Sequence, residues 1–80
     1  MSLQAKYHER MLLILRELSR SPLSRRQLQL RFMRRFESPS AFESTFQFLA
    51  REGRIAKSSS EHRAPYVLTD SGMKLLEALS

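Results

Sequence analysis

Pro22, Pro39 and Gly53 set most of the limits on how this chain can fold. The residue before a proline is pushed out of the helical region, so "SRSP" ends any helix that reaches Ser21. Pro39 suits a first helical turn, where no backbone N–H is required. Gly53 reaches positive φ without a Cβ penalty and is a natural left-handed helix stop.

The stretches between these breaks have helical spacing. Tyr7, Met11, Ile14, Leu15 and Leu18 recur at i, i+4, i+7 and i+8, which predicts a first helix from about Leu3 to Arg20, with Glu9, Arg10, Arg16 and Glu17 off the stripe. "LSRRQL" starts the second: Ser24 caps it, Gln27 completes a capping box, and Leu23 and Leu28 are placed as a hydrophobic staple. Leu28, Phe32 and Phe36 form its inward face. In "ESPSAFEST" either Ser38 or Ser40 can cap a third helix, and Ser40 with Glu43 makes a second candidate capping box. That helix runs to about Glu52, with Phe42, Thr45, Phe46 and Leu49 as its buried stripe.

Beyond Gly53 the pattern changes. Arg54 to Ser58 alternates as a short strand with Ile55 inward. Ser58 to Ala64 is a polar tip, and Tyr66 to Leu68 is the return strand, with Pro65 tolerable at its start. Two strands this close pair most simply as an antiparallel hairpin. Such a hairpin is barely stable alone, so it must lean on the helices. Thr69 caps a last helix, in which Gly72, Leu75, Leu76 and Leu79 share a face. The expected fold is one mainly α domain over residues 1–80, in the order α-α-α-β-β-α.

Composition narrows the function classes. The chain carries 14 Lys and Arg against eight Asp and Glu, a net charge of +6. Eleven of the 14 are Arg, and the six from Arg20 to Arg35 are interrupted by no acid. Arginine presents a planar fork of donors that matches phosphate and guanine edges. The block reads as a footprint for a polyanion, or else as a solvated basic face. There are no cysteines, hence no disulfide and no Cys-based zinc site. The apolar run Met11–Leu15 is too short for a signal peptide, and no window approaches the roughly 20 apolar residues of a membrane span. A cytoplasmic, intracellular protein is expected, without cofactor, metal or small-molecule effector. No Gly-rich phosphate loop, Cys nucleophile or Ser–His–acid arrangement points to an enzyme.

"FQFLAREGRIAK" and "YVLTDSGMKLLEAL" give the pattern a likeness. The chain resembles the winged helix-turn-helix domains of small transcription regulators such as the MarR-like and PadR-like families. Leu49 and Gly53 match the end of their recognition helix. Tyr66, Leu68, Thr69 and Gly72 match the return strand of the wing and its entry into a helix. The resemblance spans nearly the whole chain and implies double-stranded DNA as partner. The third helix would lie in the major groove, the second would brace it near phosphate, and the hairpin would be the wing. The chain lacks the long extra helices by which many of those proteins dimerise and bind effectors.

On that reading Ser44, Gln47 and Arg51, off the stripe of the third helix, are the candidates for base contacts. Arg25, Arg26, Arg31, Arg34, Ser38 and Ser40 are the candidates for phosphate, and Lys57, His62 and Arg63 for wing contacts. Arg35 is instead expected to pack or to pair with Glu37. Glu43 either completes the cap of the third helix or accepts from a cytosine amino group. His8 has no ligand partner in sight.

Leu12, Leu13, Leu30, Met33, Phe48 and Met73 miss their helices' core stripes. The surplus points to a second interface, most simply a homodimer, which would suit half-sites about 34–36 Å apart. Two other functions fit the same residues. One is a winged-helix adaptor that binds a protein partner, and the other is RNA binding by the same basic face.

Overall fold

The last turn of the third helix shows how closely local chemistry directs this chain. Gly53 takes φ 75°. Its N–H bonds the carbonyl of Ala50, and the N–H of Arg54 bonds that of Leu49. This double closure turns the chain out of the helix and straight into the hairpin. The computed structural model describes residues 3–36 and 38–80. Its elements are α1 (Leu3–Arg20), α2 (Arg25–Phe32), α3 (Pro39–Arg51), β1 (Ile55–Lys57), β2 (Tyr66–Leu68) and α4 (Asp70–Leu79). The α-α-α-β-β-α order is the one expected from the sequence.

The caps act as the sequence dictates, with one exception. Ser24 and Gln27 form the complete capping box of α2, and the Thr69 hydroxyl accepts from Gly72 N–H at the start of α4. At α3 the cap is Ser38, whose Oγ accepts from Ala41 N–H, with Pro39 in the first turn. Ser40 therefore lies inside the helix, and the Ser40–Glu43 capping box does not form. Pro39 decides this: its fixed φ favours the first helical position, which leaves the cap to the residue before it.

Helix α1 is the centre of the domain and packs against α3, α4 and β2. Met11, Ile14, Leu15 and Leu18 are buried with Leu28, Phe32, Phe36, Phe42, Phe46, Leu49, Ile55 and Leu76 in one core. Because α1 is covered on several sides, its apolar surface is wider than one stripe. Leu12 and Leu13 pack against the core, as does Phe48, whose ring meets that of Tyr7 at 5.5 Å. Three of the six off-stripe apolar residues are thus partly buried against the core. Leu30, Met33 and Met73 remain exposed. Buried Thr45 is satisfied, since its Oγ1 donates to the Ala41 carbonyl at 2.9 Å.

The hairpin is anchored at its β2 edge and at its base. Ile55 pairs with Leu68, Ala56 with Val67 and Lys57 with Tyr66. Tyr66 also bridges to Leu23, exchanging N–H···O bonds of 2.7 and 3.2 Å. Leu23 therefore does more than the staple expected of it: it brings the α1–α2 connection alongside the hairpin. At the base, the Thr69 hydroxyl donates to the Gly53 carbonyl while accepting from Gly72. A Cβ on Gly72 would sit 1.9 Å from the Arg54 carbonyl oxygen, so only glycine fits there. The Leu-Thr-x-x-Gly pattern is thus a packing device that seats α4 against the root of the hairpin. Arg54 completes it by donating to the carbonyl and hydroxyl of Ser71.

Candidate nucleic-acid interface

The buried stripe of α3 fixes what its other side displays. With Phe42, Thr45, Phe46 and Leu49 turned inward, Ser40, Ser44, Gln47 and Arg51 are exposed. Steps of four, three and four residues keep them on one helical face. From Ser40 onward every exposed residue of α3 is polar. Glu43, beside this face, is held by two partners: it pairs with Arg25 of α2 and accepts from Gln47 Nε2 at 3.1 Å. Its negative charge is therefore met by a guanidinium, and it takes no part in capping.

The arginines divide into engaged and unengaged sets. Arg25 pairs with Glu43 and lies over the Phe46 ring, 5.8 Å from its centroid. Arg31 donates to Glu17 of α1 at 2.6 Å. Arg35 lies 5.8 Å from the centroid of the Phe32 ring, a cation–π distance. The packing role expected of Arg35 holds, while Glu37 lies outside the described residues. Arg26, Arg34, Arg51 and Arg63 are exposed and have no acid partner among the described residues.

The serines at the start of α3 are close together, with 3.3 Å between the hydroxyls of Ser38 and Ser40. Ser38 is occupied as the cap, and Ser40 is the more exposed of the two. In the hairpin, Lys57 turns onto its own tip and donates to the carbonyls of Glu61 and His62 at 3.4 and 3.3 Å. It orders the turn that displays His62 and Arg63, both exposed. Since α3 leads directly into β1 through Gly53, the hairpin is rooted at the Arg51 end of the polar face.

One feature of this region is not legible as a site in the sequence. Leu30 and Met33 are 56% and 68% exposed. With Arg26, Phe36, Pro39 and Phe42 they line a groove of about 220 Å³ where α2 meets the start of α3. The sequence signal was only that Leu30 and Met33 fall off the core stripe. Which residues face them is decided by long-range packing of α2 against the start of α3.

Among the described residues no group of three or more His, Cys, Asp or Glu side chains could hold a metal ion. No helix among them is long and apolar enough to cross a membrane. No protein-family model, curated protein or solved structure matches the chain.

Proposed function

We propose that this chain binds double-stranded DNA as a winged-helix transcription regulator, with α3 in the major groove and the 54–68 hairpin as its wing. The observation that carries the reading is the uninterrupted polar face of α3, Ser40–Ser44–Gln47–Arg51, in a domain with exposed arginines that have no acid partner among the described residues. The major groove of B-DNA admits a helix and displays a distinct donor–acceptor pattern for each base pair. Gln47 and Arg51 carry the side-chain types that make bidentate contacts with adenine and guanine edges. Arg26, Arg34 and Arg63 would contact phosphates, which position the protein without reading sequence. A-form RNA presents a deep, narrow major groove that side chains cannot read, so one exposed helical face suits DNA better.

The test is fluorescence anisotropy with random-sequence duplex DNA over a salt series. Each phosphate engaged contributes about −0.9 to the slope of log affinity against log salt. Arg26→Gln and Arg34→Gln should each flatten that slope by about 0.9. These two are cleaner probes than Arg31, whose loss also breaks its link to Glu17. Ser44→Ala with Gln47→Ala should leave the slope intact and relax the preference among sequences selected from a random pool. Absence of binding at low salt would sink the proposal.

A further inference from the structure

The groove between α2 and the start of α3 suits none of the chemistry assigned to the polar face of α3. Arg26, Leu30 and Met33 lie at i, i+4 and i+7, one stripe along the outer side of α2, with Met33 still helical at the C-cap. Across from them stand Phe36, Pro39 and Phe42. Single exposed apolar residues are ordinary. Two adjacent ones lining one concavity, the larger 68% exposed, form a surface that gains by being covered.

The occupant can be narrowed by elimination. Nucleic acid gains little from Leu30 and Met33. The groove's rings are also unavailable for base stacking, since Phe32, Phe36 and Phe42 are 2, 7 and 3% exposed. A cofactor-sized molecule is disfavoured, because such sites usually enclose about 300–1,000 Å³ and this groove holds about 220 Å³. A second copy of the chain would bring two Arg-rich α2 segments together, which like-charge repulsion opposes. The charge around the groove selects the opposite sign. Among the described residues its lining contains Arg26 and no acid. The stretch from Arg25 to Phe36 contains five arginines and no acid, of which Arg26 and Arg34 lack acid partners among the described residues.

We propose that this groove docks an acidic segment of a partner protein. One large apolar side chain of the segment seats between Leu30, Met33 and Pro39, and a neighbouring carboxylate pairs with Arg26. The volume fits an anchoring side chain, and a desolvated anchor with a charged rim is the usual anatomy of such contacts. This docking does not require that the chain bind DNA, but the two would compete for Arg26, which the proposed function assigns to phosphate.

The test is a display selection of random dodecapeptides against the whole chain, followed by anisotropy with the enriched peptides. Enriched sequences should combine an aromatic or leucine anchor with flanking Asp or Glu. They should lose at least tenfold in affinity for the Leu30→Ser, Met33→Ser double variant, which keeps the net charge. Replacing the anchor with Ala should have an equal effect. Both substituted residues are exposed, so the thermal midpoint and the DNA salt slope should not move. Four outcomes would overturn the proposal: no enrichment, enriched peptides that bind the double variant equally well, anchor-free acidic peptides that bind as tightly, or light scattering that shows a dimer lost in the double variant. The last would assign the groove to a second copy of the chain.

Discussion

Helices α2 and α3 are neighbours with similar inner faces and different outer ones. Inside, both bury large apolar residues, Leu28 and Phe32 from one and Phe42, Phe46 and Leu49 from the other. Outside, α3 shows only polar side chains after Pro39, whereas α2 and its C-cap interleave Arg26 and Arg31 with Leu30 and Met33. A polar stripe exchanges hydrogen bonds with water for hydrogen bonds with a ligand. An apolar one gains only by expelling water. The same small domain therefore offers two surfaces that cannot serve the same kind of partner.

The sharpest test of this division uses two leucines of one helix. Leu28 is 0% exposed and Leu30 is 56% exposed. Leu28→Ala should lower stability by about 2–5 kcal/mol, while Leu30→Ala should stay within about 0.5 kcal/mol. Urea denaturation measures both, and equal effects would mean that α2 is turned differently about its axis.

The caps give a smaller and more even comparison. Ser24→Ala and Ser38→Ala should each lower stability by about 1 kcal/mol, the usual contribution of a serine N-cap. If Ser40 rather than Ser38 capped α3, Ser40→Ala would carry the loss instead, and chemical denaturation of the three variants separates the cases.

The smallest effect should come from the ion pair that ties α2 to α1. Arg31 and Glu17 are 56% and 17% exposed in their side chains. Arg31→Ala should lower stability by about 0.2–1 kcal/mol, less at high salt. Thermal melts at low and high ionic strength would show it, and a loss that ignores salt would mean that packing by the arginine stem outweighs its charge.

These contrasts also show what the sequence makes legible. The box at Ser24, the stop at Gly53 and the cap at Thr69 are local. Each is decided by residues within a few positions, and each forms as expected. The choice between Ser38 and Ser40 was open because both can cap, and it turned on where Pro39 settles. Contacts across the chain were invisible to periodicity. Nothing near Glu43 in sequence announces Arg25 as its partner, and nothing near Leu23 announces Tyr66. Leu12 and Leu13 looked surplus because a stripe argument assumes one buried side, whereas α1 is packed by α3, α4 and β2, and Phe48 because its cover, Tyr7, comes from α1. The polar face of α3 was legible as the complement of its core stripe. The groove was not, because one wall comes from α2 and the other from beyond the connection.

The bridge between Leu23 and Tyr66 has a consequence for the order in which the chain folds. Its two strands of backbone are separated by all of α2, α3 and β1, and closing so long a loop is entropically unfavourable until the intervening elements have shortened it. The helix caps and the hairpin turn are local contacts, whereas this pairing joins backbone far apart in the chain. The amide of Tyr66 is thus a clock hand for the whole domain: in pulse-labelled refolding it should be protected last, with the α1–α2 connection and the hairpin locking in a single step.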